Sequence, residues 1–358
     1  MATEIAPDDI VATHEEGAAN ERPPLIVLEP LLRFLDEHGL GSGEPKITAI
    51  GEGRSNATFL FERGDARFVL RRPPRPPIPP SANDMMREAR IQKALAGHVR
   101  VPKILAVCED PSVIGAPFYV MEEIPGVVVT DQMPPALDNP EERRRAGEQL
   151  VDALVELHAV DWRKAGLEGL GKPDGYLERQ VRRFAGLWEH NKTREIPAVE
   201  RVGEWLARNM PDSPPSTIVH GDYRLGNVML TPEPPAQVIA ILDWEMSTIG
   251  DPLADVGYLC MLYIDRNDPP DRPFQLTQVT RAEGWPTREE LVARYEERSG
   301  RSMTDIRWYQ LLALWKAIVF MEGNYKRAAQ GMSDDPFLKG FGETILQMAE
   351  LAEEMTRG

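Results

Sequence analysis

Between Ile218 and Asp255 the chain sets three oxygen-bearing side chains at fixed intervals along one apolar hairpin. Ile218 and Val219 lead into His220-Gly221-Asp222, and Asn227 follows Asp222 by five positions. Val228-Met229-Leu230 reads as a short strand, residues 231–235 as a Pro-rich reversal, and residues 238–242 as the returning strand that delivers Asp243. Such a hairpin brings Asp222, Asn227 and Asp243 to one edge. Phosphoryl transfer uses this set: one carboxylate takes the proton of an acceptor hydroxyl, while an amide and a second carboxylate hold Mg²⁺. Acids scattered by chance through a polar turn would not bring flanking apolar strands with them.

The rest of the chain narrows the class. Its 358 residues are enough for two lobes, each with its own core. A net charge of −16 argues against nucleic acid as a partner, because a phosphate backbone needs a basic face. Cys108 and Cys260 are too few for a disulfide framework or a metal cluster, and their apolar neighbours predict reduced core thiols. The first residues are acidic, unlike a secretory leader, and no apolar run reaches membrane-spanning length. These features predict a cytoplasmic protein without a membrane partner; nothing in them sets the oligomeric state.

In order, residues 1–22 are acidic and Ala-rich without periodicity, which predicts a disordered or loosely attached tail. Leu25, Leu28, Leu31, Leu32 and Leu35 recur at helical spacing, and that helix stops near His38-Gly39. Residues 47–50 and 67–71 read as strands, with a turn and a returning strand from Gly51 to Phe61. Six prolines within residues 73–80 exclude a helix or central strand. Residues 84–95 read as a helix with Met85, Ala89 and Leu95 inward, and residues 101–107 and 117–122 as closing strands. From Asn139 the pattern turns helical, with Pro140 at the first position and Leu150, Leu154 and Leu157 along one face. Further helices are expected near 176–188, 199–210, 289–298 and 308–329.

His220-Gly221-Asp222 with Asn227, followed by Asp243-Trp244-Glu245, resembles the aminoglycoside phosphotransferase and choline kinase family, small-molecule kinases of protein-kinase-like fold. The likeness covers roughly residues 25 to 345. It is nearest to the branch also found joined to acyl-CoA dehydrogenases, through Phe68-Val69-Leu70-Arg71-Arg72-Pro73 and Pro117-Phe118-Tyr119-Val120-Met121-Glu122. The resemblance implies an α+β fold of two lobes. Residues 23–122 would form a small nucleotide-binding lobe on an antiparallel sheet, and residues 123–358 a larger, mostly helical catalytic and substrate lobe. It implies ATP and Mg²⁺, with the γ-phosphoryl group passing to the hydroxyl of a small molecule such as an aminoglycoside or a hydroxyacyl-CoA-type metabolite.

The same resemblance assigns roles. Asp222 is the base, Asn227 and Asp243 are the metal ligands, and Arg224 neutralises the transferring group. Gly51, Gly53, Ser55 and Asn56 fall in the phosphate-covering loop, with Asn56 where the family has a third glycine; Asn tolerates the left-handed backbone. Val69 and Arg71 share the strand face toward the nucleotide. Arg71 stands where Lys is usual, and its planar guanidinium can still pair with phosphate. Glu88 is its expected helix partner. The backbone of Glu122 and Ile124 would bond adenine.

Plainer roles suit other residues. His158 is expected to pack and hydrogen-bond, His220 to brace its loop, and Asp251 and Asp255 to cap or brace. Glu245 supports the metal site or forms a structural ion pair, and both readings stay open. Trp308, Trp315 and Tyr325 are candidates for an aromatic cage around a choline-like acceptor. The alternative in another class is a pseudokinase that binds nucleotide or a protein partner without turnover. Arg71 in place of Lys is its support, and the intact Asp222, Asn227 and Asp243 oppose it.

Overall fold

Alternating large apolar residues build a sheet whose two faces receive different helices. The computed structural model describes residues 2–3, 5–51, 56–77, 83–332, 338 and 340–357. The strands are β1 (Ala2–Thr3), β2 (Ile10–Val11), β3 (Ile26–Val27), β4 (Lys46–Ile50), β5 (Ala57–Arg63), β6 (Ala66–Arg72), β7 (Ile104–Cys108) and β8 (Phe118–Glu122). Six of them form one antiparallel sheet in the order β1-β4-β5-β6-β8-β7. On one face Phe59, Phe61, Phe68, Leu70, Phe118 and Val120 bury with Leu31 and Leu35 of a helix at Leu28–Glu37. Phe61 lies opposite Phe68, and their rings stack with centroids 5.4 Å apart. On the other face Tyr119 and Ile104 pack with Met85 and Ala89 of a helix at Met85–Leu95. Each such buried side chain contributes about 1.5–3 kcal/mol.

The structure departs from the expected tail at residues 1–22. A short helix, α1 (His14–Ala18), is capped by the Thr13 hydroxyl, and β1 and β2 pair with β4 and β3. The Leu25 N–H donates to the Asp9 carbonyl at 2.8 Å, the Glu29 N–H to the Ala12 carbonyl at 3.0 Å, and Arg75 pairs with Asp9. Ile5 and Ile10 pack on the sheet core and Val11 is buried, but these apolar residues follow no helical or strand interval, so the stretch carries no periodic signal. The leucine helix, α2 (Leu28–Glu37), begins three residues after Leu25 because Ile26 and Val27 are drawn into β3. The next helix, α3 (Met85–Leu95), starts where expected, with the Asp84 carboxylate accepting from the Arg87 N–H at 3.0 Å.

Contacts divide the chain into two units, Met1–Pro125 with Leu242–Glu245, and Gly126–Ile241 with Met246–Gly358. Asp243 is therefore grouped with the sheet unit. The second unit contains a small antiparallel sheet, β9 (Val127–Val128), β11 (Val228–Leu230) and β12 (Val238–Ile241), in the order β12-β11-β9. A second ladder pairs β10 (Thr217–Val219) with β13 (Thr248–Gly250). Around them lie α4 (Pro140–His158), α5 (Tyr176–Asn191), α6 (Pro197–Arg208), α7 (Leu253–Leu262), α8 (Arg288–Ser299), α9 (Ile306–Ala329) and α10 (Phe341–Glu354). The Asn139 side chain caps α4 by accepting from the Glu142 N–H, with Pro140 at the first helical position as the sequence predicts.

Helix α9 is the hub of this unit and is apolar nearly all round, as a helix must be when α5, α6, α7 and α10 all pack on it. Its indoles are committed to the core. Trp308 Nε1 donates to the Leu206 carbonyl at 3.1 Å and Trp315 Nε1 to the Val199 carbonyl at 2.9 Å, which removes both from any aromatic cage. Tyr325 sits under the Arg194 guanidinium, 5.5 Å from its ring centroid. At the α7–α9 crossing, a Cβ on Gly257 would lie 2.5 Å from the backbone carbon of Tyr309, so only glycine allows the two helices this close. Among the described residues no helix is long and apolar enough to cross a membrane.

Candidate active site

Strand β10 carries the chain into His220-Gly221-Asp222, and α7 holds that turn in place. The Asp255 carboxylate, on the first turn of α7, accepts from the His220 N–H at 2.7 Å and the Gly221 N–H at 2.8 Å. Gly221 has φ +85°, and a Cβ there would meet the Met246 carbonyl oxygen at 2.7 Å, so the turn demands glycine. His158 Nε2 also reaches Asp255, at 3.2 Å, and its Nδ1 lies 2.6 Å from the Tyr295 hydroxyl. Burial pushes the imidazole down from its ordinary range despite the Asp255 carboxylate. The neutral ring donates from Nε2 to Asp255 and accepts the tyrosine proton at Nδ1. His220 Nδ1 accepts from the Asp222 N–H at 3.2 Å. His220 and Asp255 hold the loop, and His158 packs and hydrogen-bonds behind Asp255.

The result is a carboxylate fixed at both oxygens. Asn227 Nδ2 donates to Asp222 Oδ2 at 2.7 Å and to the Asp222 carbonyl at 2.8 Å. The Tyr258 hydroxyl, from α7, donates to Asp222 Oδ1 at 2.6 Å. Burial and the neighbouring Asp222 charge hold the Tyr258 phenol well above its usual range, so it stays a donor. Arg224 Nε lies 3.7 Å from Asp222 Oδ1, close enough to pair with it and half-exposed. Sequence reasoning did not pick out Tyr258. Its one signal is that it lies three residues after Asp255, on the helix that braces the loop.

In the sheet unit, Arg71 on β6 bridges two carboxylates. Its Nη2 donates to Asp243 Oδ1 at 2.7 Å, and its Nε reaches Glu88 Oε2 on α3 at 3.3 Å. Burial pulls the Arg71 guanidinium down, but the charges of Glu88, Tyr119, Asp243 and Glu245 outweigh it and raise it. Burial likewise pushes the Glu88 carboxyl up while Arg71 pulls it back. With a guanidinium that never loses its charge beside it, we read the pair as ionic. The strand face predicted to carry Val69 and Arg71 is the one toward α3; Leu70 points to the other core and Arg72 to the carbonyls of Leu25 and Ile114.

Residues 242–245 are fastened to that same helix. The Trp244 N–H donates to Glu88 Oε1 at 3.3 Å, and Arg87 Nη1 to the Glu245 carbonyl at 3.0 Å. Asp243 takes φ +67°, a left-handed backbone that Asp adopts more readily than most residues. Asn56 is buried; its Nδ2 donates to Glu245 Oε2 at 3.4 Å and its Oδ1 accepts from Asn83 at 3.0 Å. Gly51 is exposed with φ +87°, whereas Gly53 and Ser55 lie outside the described residues. The Glu122 N–H donates to the Lys103 carbonyl, and Ile124, just past β8, has no backbone hydrogen bond within the described chain.

In the second unit Asn227 spends its amide nitrogen on Asp222, and in the sheet unit the Asp243 side chain retains solvent exposure. Among the described residues there is no cluster of three or more His, Cys, Asp or Glu that would make an all-protein metal cage. Mg²⁺ characteristically takes one or two protein oxygens and completes its shell with water and phosphate.

An aspartate held at both oxygens after a His-Gly turn, and a basic strand residue paired to a helix glutamate, define a kinase-type phosphotransferase of α+β fold. The chain belongs to the phosphotransferase enzyme family, whose pattern matches residues 46–298. It is 37% identical over 94% of its length to acyl-CoA dehydrogenase family member 10 of Mus musculus, covering 32% of that protein. It spans between about a third and two-fifths of the length of the curated relatives it matches. A Ralstonia eutropha protein assigned as an aminoglycoside phosphotransferase superposes with TM-score 0.80 at 32% identity, over 92% of this chain and 98% of that one. An aminoglycoside phosphotransferase crystallised with AMP-PNP and hygromycin B shares the fold alone, at 15% identity and TM-score 0.59, over 92% of this chain and 99% of that one.

Proposed function

We propose that this chain transfers the γ-phosphoryl group of ATP to a hydroxyl of a small molecule, with Mg²⁺. The observation that carries the reading is the Asp222 carboxylate, pinned by Asn227 and Tyr258 so that it presents a fixed acceptor to an incoming hydroxyl. In the reaction the acceptor oxygen forms a bond to the γ-phosphorus, the bond to the β–γ bridging oxygen breaks, and ADP leaves. The hydroxyl proton passes to Asp222. Arg224 offsets charge on the transferring group. Arg71, held by Glu88, binds phosphate in place of the usual Lys; the backbone of Glu122 and Ile124 takes adenine beside Val69, and the loop with Gly51, Gly53, Ser55 and Asn56 covers the phosphates. Asn227 and Asp243 would hold Mg²⁺, which supplies neutralisation of the phosphate charge.

Two acceptor classes follow from the relatives' names, aminoglycosides and metabolites of acyl-CoA chemistry. Arg71 keeps an ion pair with Glu88 like the one the usual Lys makes, which favours the catalytic reading over a pseudokinase that binds without turnover. Asp222→Asn tests the proposal: it preserves size and removes charge. ATP affinity by calorimetry should stay within about twofold, while turnover with an accepted alcohol falls about 10²–10⁴-fold. Wild-type turnover in the variant would place the base elsewhere.

A further inference from the structure

The turn after Asp222 holds a glycine that its own backbone does not need. Gly226 lies in a single 3-10 turn, Leu225–Asn227, closed by the Asn227 N–H donating to the Arg224 carbonyl at 2.9 Å. Its φ is not positive, so alanine would suit the main chain. This separates it from Gly221, whose left-handed backbone favours glycine whatever surrounds it.

What excludes a side chain at Gly226 is Arg224. A Cβ there would collide with Arg224 Nη1 and lie 3.2 Å from Cζ and 3.8 Å from Nη2. The arginine folds back across its own turn and rests its guanidinium against the bare Gly226. In that pose its Nε stands 3.7 Å from Asp222 Oδ1. Among the described residues no hydrogen bond fixes this guanidinium, so the shape of the turn and the Asp222 charge set its place. A long side chain has many other rotamers open to it, and a small change in that shape is enough to move it.

We infer that Gly226 is a positioning residue: the room it leaves keeps the Arg224 guanidinium beside Asp222, where it offsets charge on the transferring phosphoryl group. The inference rests on the phosphotransferase reading above and on the role of Arg224 within it. Gly226→Ala would put a methyl where Nη1 now lies and turn the guanidinium away from Asp222. Only the far end of a flexible side chain has to move, so the fold should accept the change. Transition-state stabilisation is what should suffer, because a charged donor counts only where it is aimed in advance.

The test uses fluoroaluminate with Mg-ADP, which imitates the transferring phosphoryl group and needs no identified acceptor. Calorimetry compares Mg-ADP binding with and without fluoroaluminate in the wild-type protein, Gly226→Ala, Arg224→Ala and the double variant. Fluoroaluminate should tighten Mg-ADP binding by the wild type. Arg224→Ala should lose about 10–100-fold of that gain, the range of one charge-assisted contact, with affinity for Mg-ADP alone within about twofold. Gly226→Ala should lose a comparable share at an unchanged urea midpoint. The double variant should lose no more than Arg224→Ala, because two changes that act through one group do not add. A full gain in Gly226→Ala, a lowered midpoint in it, or losses that multiply in the double variant would overturn the positioning role. No gain in the wild type, or no loss in Arg224→Ala, would take Arg224 away from the transferring group and this inference with it, while leaving Asp222 as the base. Failure of the wild type to bind Mg-ATP or Mg-ADP at all would instead remove the phosphotransferase reading itself.

Discussion

Under the proposed function, Arg71 would couple stability to ligand binding. Glu88 is only 1% exposed, so removing its guanidinium partner strands a buried carboxylate. Losing one member of a buried pair costs about 3–5 kcal/mol. Arg71→Ala should therefore lower the urea midpoint and weaken ATP binding about 10–100-fold, since a charge-assisted phosphate contact is worth about 1.5–3 kcal/mol. Arg71→Lys should recover part of both, because a point charge still pairs with Glu88 but loses the fork geometry. Full ATP affinity in Arg71→Ala, measured by calorimetry, would reduce Arg71 to a structural residue.

At the scale of elements, the α7–α9 crossing carries the loop that holds Asp222, because α7 supplies both Asp255 and Tyr258. Gly257 sits between those two residues and against the Tyr309 backbone. Gly257→Ala must push helix against helix, an overpacking worth about 1–3 kcal/mol. Urea unfolding should show that loss; an unchanged midpoint would mean the crossing yields freely. This crossing was not legible in the sequence, because Gly257 and Tyr309 lie far apart along the chain. What was legible is local: the interval from Asp222 to Asn227, the strands that flank them, and the Asp84 cap that fixes Glu88 on α3. Periodicity and capping act within a few residues, so they expose such features. Tyr258 matters through its contact with Asp222, far along the chain. Trp308 and Trp315 misled for the same reason. Aromatic side chains suggest a cage until the carbonyls of Leu206 and Val199 are seen to take their N–H groups.

For the whole molecule, the proposed function makes stability depend on ligand. A ligand that binds only the folded chain stabilises it by RT ln(1 + [L]/Kd), about 2.7 kcal/mol at a hundredfold excess over Kd. In a chain of 358 residues that corresponds to a rise in Tm of a few degrees at most, because unfolding entropy grows with length. The net charge of −16 adds a condition. ATP brings further negative charge to an acidic protein, so without a cation its binding should be weaker and more sensitive to salt. The expected pattern is a clear Tm rise with Mg-ATP and a smaller one with ATP in chelator. Asp243→Ala should reduce the difference between the two, because it removes one proposed metal ligand while leaving Arg71 to meet phosphate. Removing Asp243 also frees Arg71 from its 2.7 Å contact, so binding of metal-free ATP should hold or improve even as the Mg²⁺ response shrinks. An undiminished Mg²⁺ response in Asp243→Ala, read by differential scanning calorimetry across a magnesium titration, would show that the metal is held without this carboxylate.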